Sequence, residues 1–127
     1  MTFLEVENLS TRYQTSRGEV HALDDVSFVL NEGESLGIAG ESASGKSTLG
    51  LSLIRMIQGG KIFSGKIILD DESILDISES SFNEKFRWKK IAMVFQGAMS
   101  SLDPVFSIKQ QFTEILKIIT MKEILIN

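Results

Sequence analysis

Several residue types are missing or scarce in this chain, and each absence removes a class of protein. The 127 residues include no cysteine, which excludes a disulfide framework and a thiolate metal site. A single proline leaves no proline-rich linker. No run of about 18 apolar residues occurs, so the sequence predicts no membrane-spanning helix. The amino terminus also lacks the basic start and apolar stretch of a secretion signal.

Positive charge is in deficit as well. Thirteen Lys and Arg against seventeen Asp and Glu give a formal net charge of -4, which argues against a general nucleic-acid binder. The run Arg87–Lys90 surrounds a tryptophan with basic residues, but a solvated helix end explains it. Hydrophobic residues make up 43% and charged residues 24%, a balance typical of a globular chain with a real core. The composition therefore predicts a folded domain, or a piece of one, without a nucleic-acid partner.

Apolar patterning predicts an α/β fold with an antiparallel β layer at the amino terminus. Every second residue is apolar along parts of 3–13 and 20–30, as in half-buried strands. Residues 35–39 and 91–95 are continuously apolar, which favours strands covered on both faces. A further strand is predicted at 66–69. We expect the β layer to occupy about 1–33 and a second part to occupy about 34–127.

Three helices are predicted between and after these strands. The first covers 48–57, is apolar nearly all round as in a helix buried on most sides, and ends before Gly59. A second short helix is predicted from a capping box at Ser81 and Glu84. A third is predicted from the capping box at Ser107 and Gln110, with one apolar face. That face consists of Ile108, Phe112, Ile115, Leu116 and Ile119.

The chemistry of the chain is concentrated in one octapeptide. Residues 40–47 match G-x-x-x-x-G-K-[ST], the phosphate-binding loop, between a predicted strand and a predicted helix. Glycines let the backbone approach a polyphosphate, and amide N–H groups at the helix start converge on the anion. Lys46 would reach the β and γ phosphates, and the Ser47 hydroxyl would hold Mg²⁺. The acidic stretches 24–25 and 70–72 are interpreted as turns rather than metal sites or paired-carboxylate catalysts.

The octapeptide and its surroundings resemble an ABC transporter ATPase. The likeness rests on 40–49, on Val26–Phe28 with Gly33-Glu34, and on Met93–Gln96. Residues 101–108 resemble the subfamily that powers import of oligopeptides, dipeptides and nickel. The fold implied is a P-loop NTPase-like partial domain, because the family has a second half with its signature motif, Walker B aspartate, catalytic glutamate and switch histidine. None of these motifs occurs in this sequence.

The resemblance implies roles for individual residues, with ATP and Mg²⁺ as cofactors. Tyr13 would stack on adenine, although an exposed aromatic on an edge strand is equally consistent. Gln96 would contact Mg²⁺ and the attacking water, unless it is only a polar strand terminus. Residues 97–106 and the following helix would receive a membrane-spanning subunit at the inner face of the membrane. The nucleotide-contacting residues would be Tyr13, Gly40, Glu41, Ser42, Ala43, Ser44, Gly45, Lys46, Ser47 and Thr48.

Three departures from the family pattern stand out. Ala43 replaces a glycine that often needs a left-handed backbone, Gly97-Ala98 replaces Asp-Pro, and Asp71 replaces a turn glycine. We expect ATP binding with negligible hydrolysis by this chain alone. The alternative is a truncated, non-catalytic product that self-associates as a homodimer or segment-swapped oligomer through uncovered apolar strands and the third helix.

Overall fold

The computed structural model describes residues 1–97 and 102–126, with side chains through residue 117. Two long strands begin the chain, β1 (Thr2–Thr15) and β2 (Gly18–Asn31). They pair antiparallel from Thr2 opposite Asn31 to Thr15 opposite Gly18. The Thr15 hydroxyl donates to the Gly18 carbonyl at 2.7 Å and closes the hairpin. The predicted antiparallel layer is therefore confirmed, with each strand slightly longer than expected.

The sheet gains two more strands further along the chain. Strand β3 (Gly60–Leu69) pairs antiparallel with β1, and the short β4 (Glu72–Ser73) pairs with β3, so the order is β2-β1-β3-β4. The predicted strand at 66–69 is the second half of β3. Asp70 and Asp71 form its two-residue turn with φ of 52° and 62°. Both φ values are positive, as in the turns that suit tight hairpins, and the exposed acidic turn is confirmed.

Among the described residues, three helices accompany the sheet: α1 (Lys46–Leu53), α2 (Glu79–Lys85) and α3 (Ile108–Ile126). The capping box that opens α3 is confirmed, because the Ser107 hydroxyl accepts from the Gln110 amide and the Gln110 side chain accepts from the Ser107 amide. The expected box at Ser81 is wrong. Ser78 is the N-cap of α2 and its hydroxyl accepts from the Ser81 amide, so this helix begins earlier than predicted.

The core lies on one face of the sheet, where β1 and β3 meet α1 and α2. Its fully buried side chains include Leu9 and Ile67 from the sheet, Phe82 from α2 and Phe86, the C-cap of α2. The two phenylalanine rings stack with centroids 5.9 Å apart. Leucine, valine and isoleucine side chains of the strands supply most of this packing, together with Leu49 of α1.

Two of the predicted strands are absent. Residues 35–39 have no regular structure, and Leu36 and Ile38 are half exposed. Residues 91–95 contain only an isolated bridge between Ile91 and Arg87. A strand buried on both faces needs hydrogen-bonded neighbours. Within the described residues neither segment pairs with a strand of the sheet, so both expectations are wrong.

The first helix also differs from its prediction. It begins at Lys46, two residues early, and ends at Leu53, four residues short. Only Leu49 and Ser52 are buried within it, so the expectation of a helix buried on most sides is wrong. Arg55, with φ of 56°, terminates it before Gly59 is reached.

The chain divides into two compact units, Met1–Met93 and Val94–Asn127. The first holds the sheet, α1 and α2, and the second holds α3. Of the described helices, none combines the length and the hydropathy that crossing a bilayer would require. The side chain of Ile119, predicted on the apolar face of α3, lies outside the described residues.

Candidate functional site

Residues 40–45, just before α1, fold into a loop with two left-handed residues. Ala43 has φ of 64° and Gly45 has φ of 91°. Gly45 is the N-cap of α1 and carries no side chain that could satisfy the amides of the first helical turn. The helix therefore presents free amide donors and its positive dipole end toward the loop. This is the arrangement on which the sequence-based prediction of a phosphate site depends.

The Lys46 side chain folds back over the loop. Its ammonium donates to the carbonyl oxygens of Gly40 at 2.7 Å and Glu41 at 2.6 Å, and to the Ser44 hydroxyl at 3.1 Å. An ammonium has three donors, so the loop satisfies all of them. The Ser44 amide also donates to the Glu41 carbonyl at 3.3 Å. The positive charge of Lys46 is thus held by neutral oxygen atoms of the loop.

A β-bulge in β2 lies directly against Gly45 at the end of the loop. Thr11 pairs with Leu23 and Arg12 with His21, so Ala22 is the extra residue between two successive pairs. A Cβ placed on Gly45 would lie 2.5 Å from the Ala22 carbonyl oxygen. Any larger residue at position 45 would therefore push the loop off β2. Sequence analysis missed this support, because Ala22 carries no polar or turn signal.

The far end of α1 closes with a Schellman motif. The Met56 amide donates to the Leu51 carbonyl at 2.9 Å, and the Arg55 amide donates to the Ser52 carbonyl at 3.1 Å. Arg55 takes the left-handed position usually given to glycine. The Arg87 guanidinium donates to the Ile54 carbonyl at 3.0 Å. A cation at the carboxyl end of a helix interacts favourably with the helix dipole, so the Arg87 guanidinium stabilises this end of α1.

Tyr13 lies on the same face of β1 as Thr11, since alternate residues of a strand share a face. The Thr11 hydroxyl contacts Ser52 of α1, so α1 packs on this face of the sheet. Tyr13 therefore lies on the same sheet face as α1. Its ring lies across Gly60 of β3, where a Cβ would fall 2.7 Å from two ring carbons. Tyr13 is half-buried. The structure thus places Tyr13 and the loop on one compact unit.

The other predicted site residues lie in both units of the chain. Glu41, Ser42 and Ser47 are exposed at the loop and the start of α1, and Thr48 is half-buried one residue later. Gln96 is exposed in a turn of the second unit and does not follow a strand, which corrects that expectation. Residues 98–101 of the predicted partner-binding loop lie outside the described residues.

The remainder of that loop is held to α3 by a residue that sequence analysis missed. The Gln111 side chain accepts from the Asp103 amide at 3.1 Å and donates to the carbonyls of Asp103 and Phe106 at 3.0 and 2.9 Å. The Asp103 carboxylate in turn accepts from the Val105 amide at 2.8 Å. Only the helical position of Gln111, one residue after the capping box, could have signalled this clamp.

One shifted pKa lies just before the loop. The Asn31 amide and side chain donate to the Glu34 carboxylate at 2.8 and 3.0 Å. The backbone hydrogen bond from Asn31 lowers the pKa of Glu34 from its ordinary value of 4.5, because it favours the charged form. No group of three or more His, Cys, Asp or Glu side chains could hold a metal ion anywhere in the described part of the chain.

Comparisons with known proteins agree on one family. The sequence profile of the ABC transporter family matches residues 23–125. The oligopeptide transport ATP-binding protein AppD of Bacillus subtilis is 40% identical over 117 residues, 91% of this chain and 35% of that protein. The dipeptide transport ATP-binding protein DppD of Lactococcus lactis is 39% identical over 112 residues, 87% of this chain and 32% of that protein.

A solved structure gives the same result. An ATP-binding cassette, determined as a dimer in a post-hydrolysis state bound to ADP and Pi, matches with a TM-score of 0.57 and 25% identity. The match covers 64% of this chain and 34% of that chain. The chain therefore spans about a third of the length of the relatives that it matches.

Proposed function

This chain belongs to the ABC transporter family, and on that premise we propose that its loop 40–47 binds the triphosphate of ATP. The observation that carries the proposal is the Lys46 ammonium, held at the loop mouth by Gly40, Glu41 and Ser44 within 3.1 Å. A phosphate oxygen is a stronger acceptor than a neutral carbonyl, because the hydrogen bond becomes charge-assisted at both ends. The triphosphate would thus replace the loop oxygens as the hydrogen-bond acceptor of Lys46, while the amides at the start of α1 bind the same anion.

Mg²⁺ fits the residues present if it arrives with the nucleotide. The described chain offers no carboxylate cluster for an all-protein site, but Mg²⁺ typically keeps several waters and binds through phosphates and few protein oxygens. The exposed Ser47 hydroxyl, on the second residue of α1, is the protein ligand we propose. Mg²⁺ supplies neutralisation of phosphate charge when bound. Gln96 is proposed as a further contact to the ion and as the residue that orients water.

Tyr13 is proposed as the adenine platform. Its ring shares the sheet face of α1 and rests on Gly60, so it cannot turn into the sheet without meeting the β3 backbone. An aromatic ring held in this way stacks on a base regardless of hydrogen-bond pattern, with a contribution of about 1–3 kcal/mol. Replacing Tyr13 with Ala would remove the platform and leave the phosphate loop unchanged.

The proposed physiological role is peptide import. The relatives named above are oligopeptide and dipeptide transport ATP-binding proteins, and this chain would supply the nucleotide-binding loop to such a subunit at the inner face of the membrane. The clamped segment 102–107 with α3 is the proposed contact for a membrane-spanning subunit. Hydrolysis by this chain alone would be negligible, since Gln96 is its only proposed water-positioning residue.

A thermal-shift titration with ATP and Mg²⁺ tests the binding proposal. At a ligand concentration about 50 times Kd, linkage raises the free energy of unfolding by about 2.3 kcal/mol. Lys46→Ala should abolish the shift. Lys61→Ala is the matched control: Lys61 pairs with Arg12, whose side chain points away from the α1 face, so the shift should persist. No shift in the wild-type protein at millimolar ATP would overturn the proposal.

Self-association is a second candidate function, favoured by the apolar face of α3. Ile108, Phe112, Ile115 and Leu116 are each more than half exposed. Exposed apolar side chains in one stripe often mark a protein–protein contact. Phe112→Glu should then convert an oligomer into a monomer in light scattering, while Lys117→Glu, on the opposite side of α3, should not. A monodisperse wild-type monomer at high concentration would contradict this candidate.

A further inference from the structure

Two hydroxyl groups are buried between β1 and α1, where the remaining contacts are apolar. Thr11 and Ser52 are both 0% exposed, and their oxygens lie 3.1 Å apart. Ser52 is one of two buried residues of α1, next to the buried Leu49 one turn earlier. A polar pair in this position contributes little through hydrophobic burial. Its contribution is instead that its directional hydrogen bonds fix the position of α1 relative to β1.

The direction of both hydrogen bonds is determined. The Ser52 hydroxyl lies 2.7 Å from the Thr48 carbonyl, which can only accept, so Ser52 donates its single proton there. Thr11 must therefore donate to Ser52. The chain Thr11 to Ser52 to Thr48 connects a fixed point on β1 to the first turn of α1. Apolar contacts alone would let the helix slide on the sheet, whereas this chain sets one position.

We propose that Thr11 is a positioning residue that fixes the distance between the adenine platform and the phosphate loop. The inference rests on the proposed function, because Tyr13 is two residues beyond Thr11 on the same strand face and Lys46 begins the helix that Thr11 binds. A nucleotide bridges both sites and needs them at one separation. A bare polyphosphate occupies only the loop. Thr11 therefore determines selectivity for a nucleoside triphosphate over a polyphosphate.

The test compares two ligands on one variant. Thr11→Val keeps the branched shape and leaves Ser52 still donating to Thr48, so no buried donor is orphaned and the fold is retained. We expect the Kd for ATP with Mg²⁺, measured by calorimetry, to rise about fivefold, the factor one net hydrogen bond supplies. The Kd for inorganic tripolyphosphate should be unchanged. Thr11→Ser restores the hydroxyl and should restore ATP affinity.

Ser10→Ala is the matched control on the same strand. The Ser10 hydroxyl is also buried, but it accepts from the Asp25 amide at 3.0 Å and contacts β2 rather than α1. Its loss should lower the unfolding midpoint and leave the ATP to tripolyphosphate affinity ratio unchanged. A merely structural Thr11 would behave in the same way as Ser10.

A double-mutant cycle with Tyr13→Ala identifies the route of the effect. If Thr11 acts by placing Tyr13, Thr11→Val should have no further effect on ATP affinity once the ring is gone. Equal loss of both ligands in Thr11→Val, or no loss of either, would overturn this inference while the proposed function stands. A wild-type protein that binds neither ligand would overturn the proposed function and this inference with it.

Discussion

Ala43→Gly is the substitution with the sharpest expected effect on the loop. Ala43 has φ of 64°, and the left-handed conformation costs a residue with a Cβ about 1–2 kcal/mol. Glycine removes that strain but raises the entropy of the unfolded chain, at a cost of about 0.4–1 kcal/mol. The strain relief is the larger quantity. The net change is an increase of about 0.8 kcal/mol in the free energy of unfolding.

The change is measurable by thermal denaturation. For a domain of this size, about 0.8 kcal/mol corresponds to a rise of about 3 °C in the unfolding midpoint. Ala39→Gly is the matched control, because Ala39 is also exposed in the same irregular segment and lacks a positive φ. It should lower the midpoint by about 3 °C through unfolded-state entropy alone. The unfolding midpoint should thus rise in Ala43→Gly and fall in Ala39→Gly.

Equal destabilisation by the two glycine substitutions would refute the reasoning. It would mean that residue 43 is not left-handed in solution and that Ala43 has forced a different loop. A nucleotide-affinity gain in Ala43→Gly without a stability gain would indicate the same. In the described backbone Ala43 takes the left-handed conformation, so the expected effect of the alanine is strain.

Three further outcomes are expected. Ser78→Ala should destabilise the chain by about 1 kcal/mol in chemical denaturation, while Ser81→Ala should cost far less, because Ser78 is the N-cap of α2. Asp71→Gly should be stabilising for the reason given for Ala43, since Asp71 has φ of 62°; an unchanged denaturation midpoint would argue against a strained turn. The pKa of Glu34, followed by NMR, should lie below 4.5, and Asn31→Ala should raise it only part of the way, because the variant loses the side-chain donor and keeps the backbone N–H that lowers the pKa most. Since folding lowers that pKa, the stabilisation from Glu34 is present above 4.5 and is lost as pH falls through the folded-state value.

What could be predicted from the sequence is local in origin. The Ser107 capping box, the acidic hairpin turn at 70–71 and the β1–β2 hairpin depend on residues close in sequence, and each is confirmed. The strands expected at 35–39 and 91–95 depend on neighbours that are distant in sequence. Their apolar composition is compatible with a buried strand, but composition alone cannot supply a hydrogen-bonded partner.

The supports of the candidate site were equally invisible from sequence. Ala22 acts through a backbone carbonyl displaced by a register shift, and a register shift leaves no residue-type signal. Thr11 and Ser52 are small polar residues 41 positions apart, and only the packing of α1 on β1 brings them together. The motif identified the loop that would bind a ligand, whereas the contacts that hold it arise from tertiary structure.

These contacts explain how the loop keeps its shape when residues 35–39 before it form no strand. Lys46 closes the loop on its own carbonyls, Gly45 rests on Ala22, and Ser52 holds the helix to Thr11. None of the three involves the preceding segment. The loop geometry should therefore depend on β1 and β2 rather than on the segment that leads into it. A substitution that removes the β2 bulge should alter the loop more than any substitution between 35 and 39.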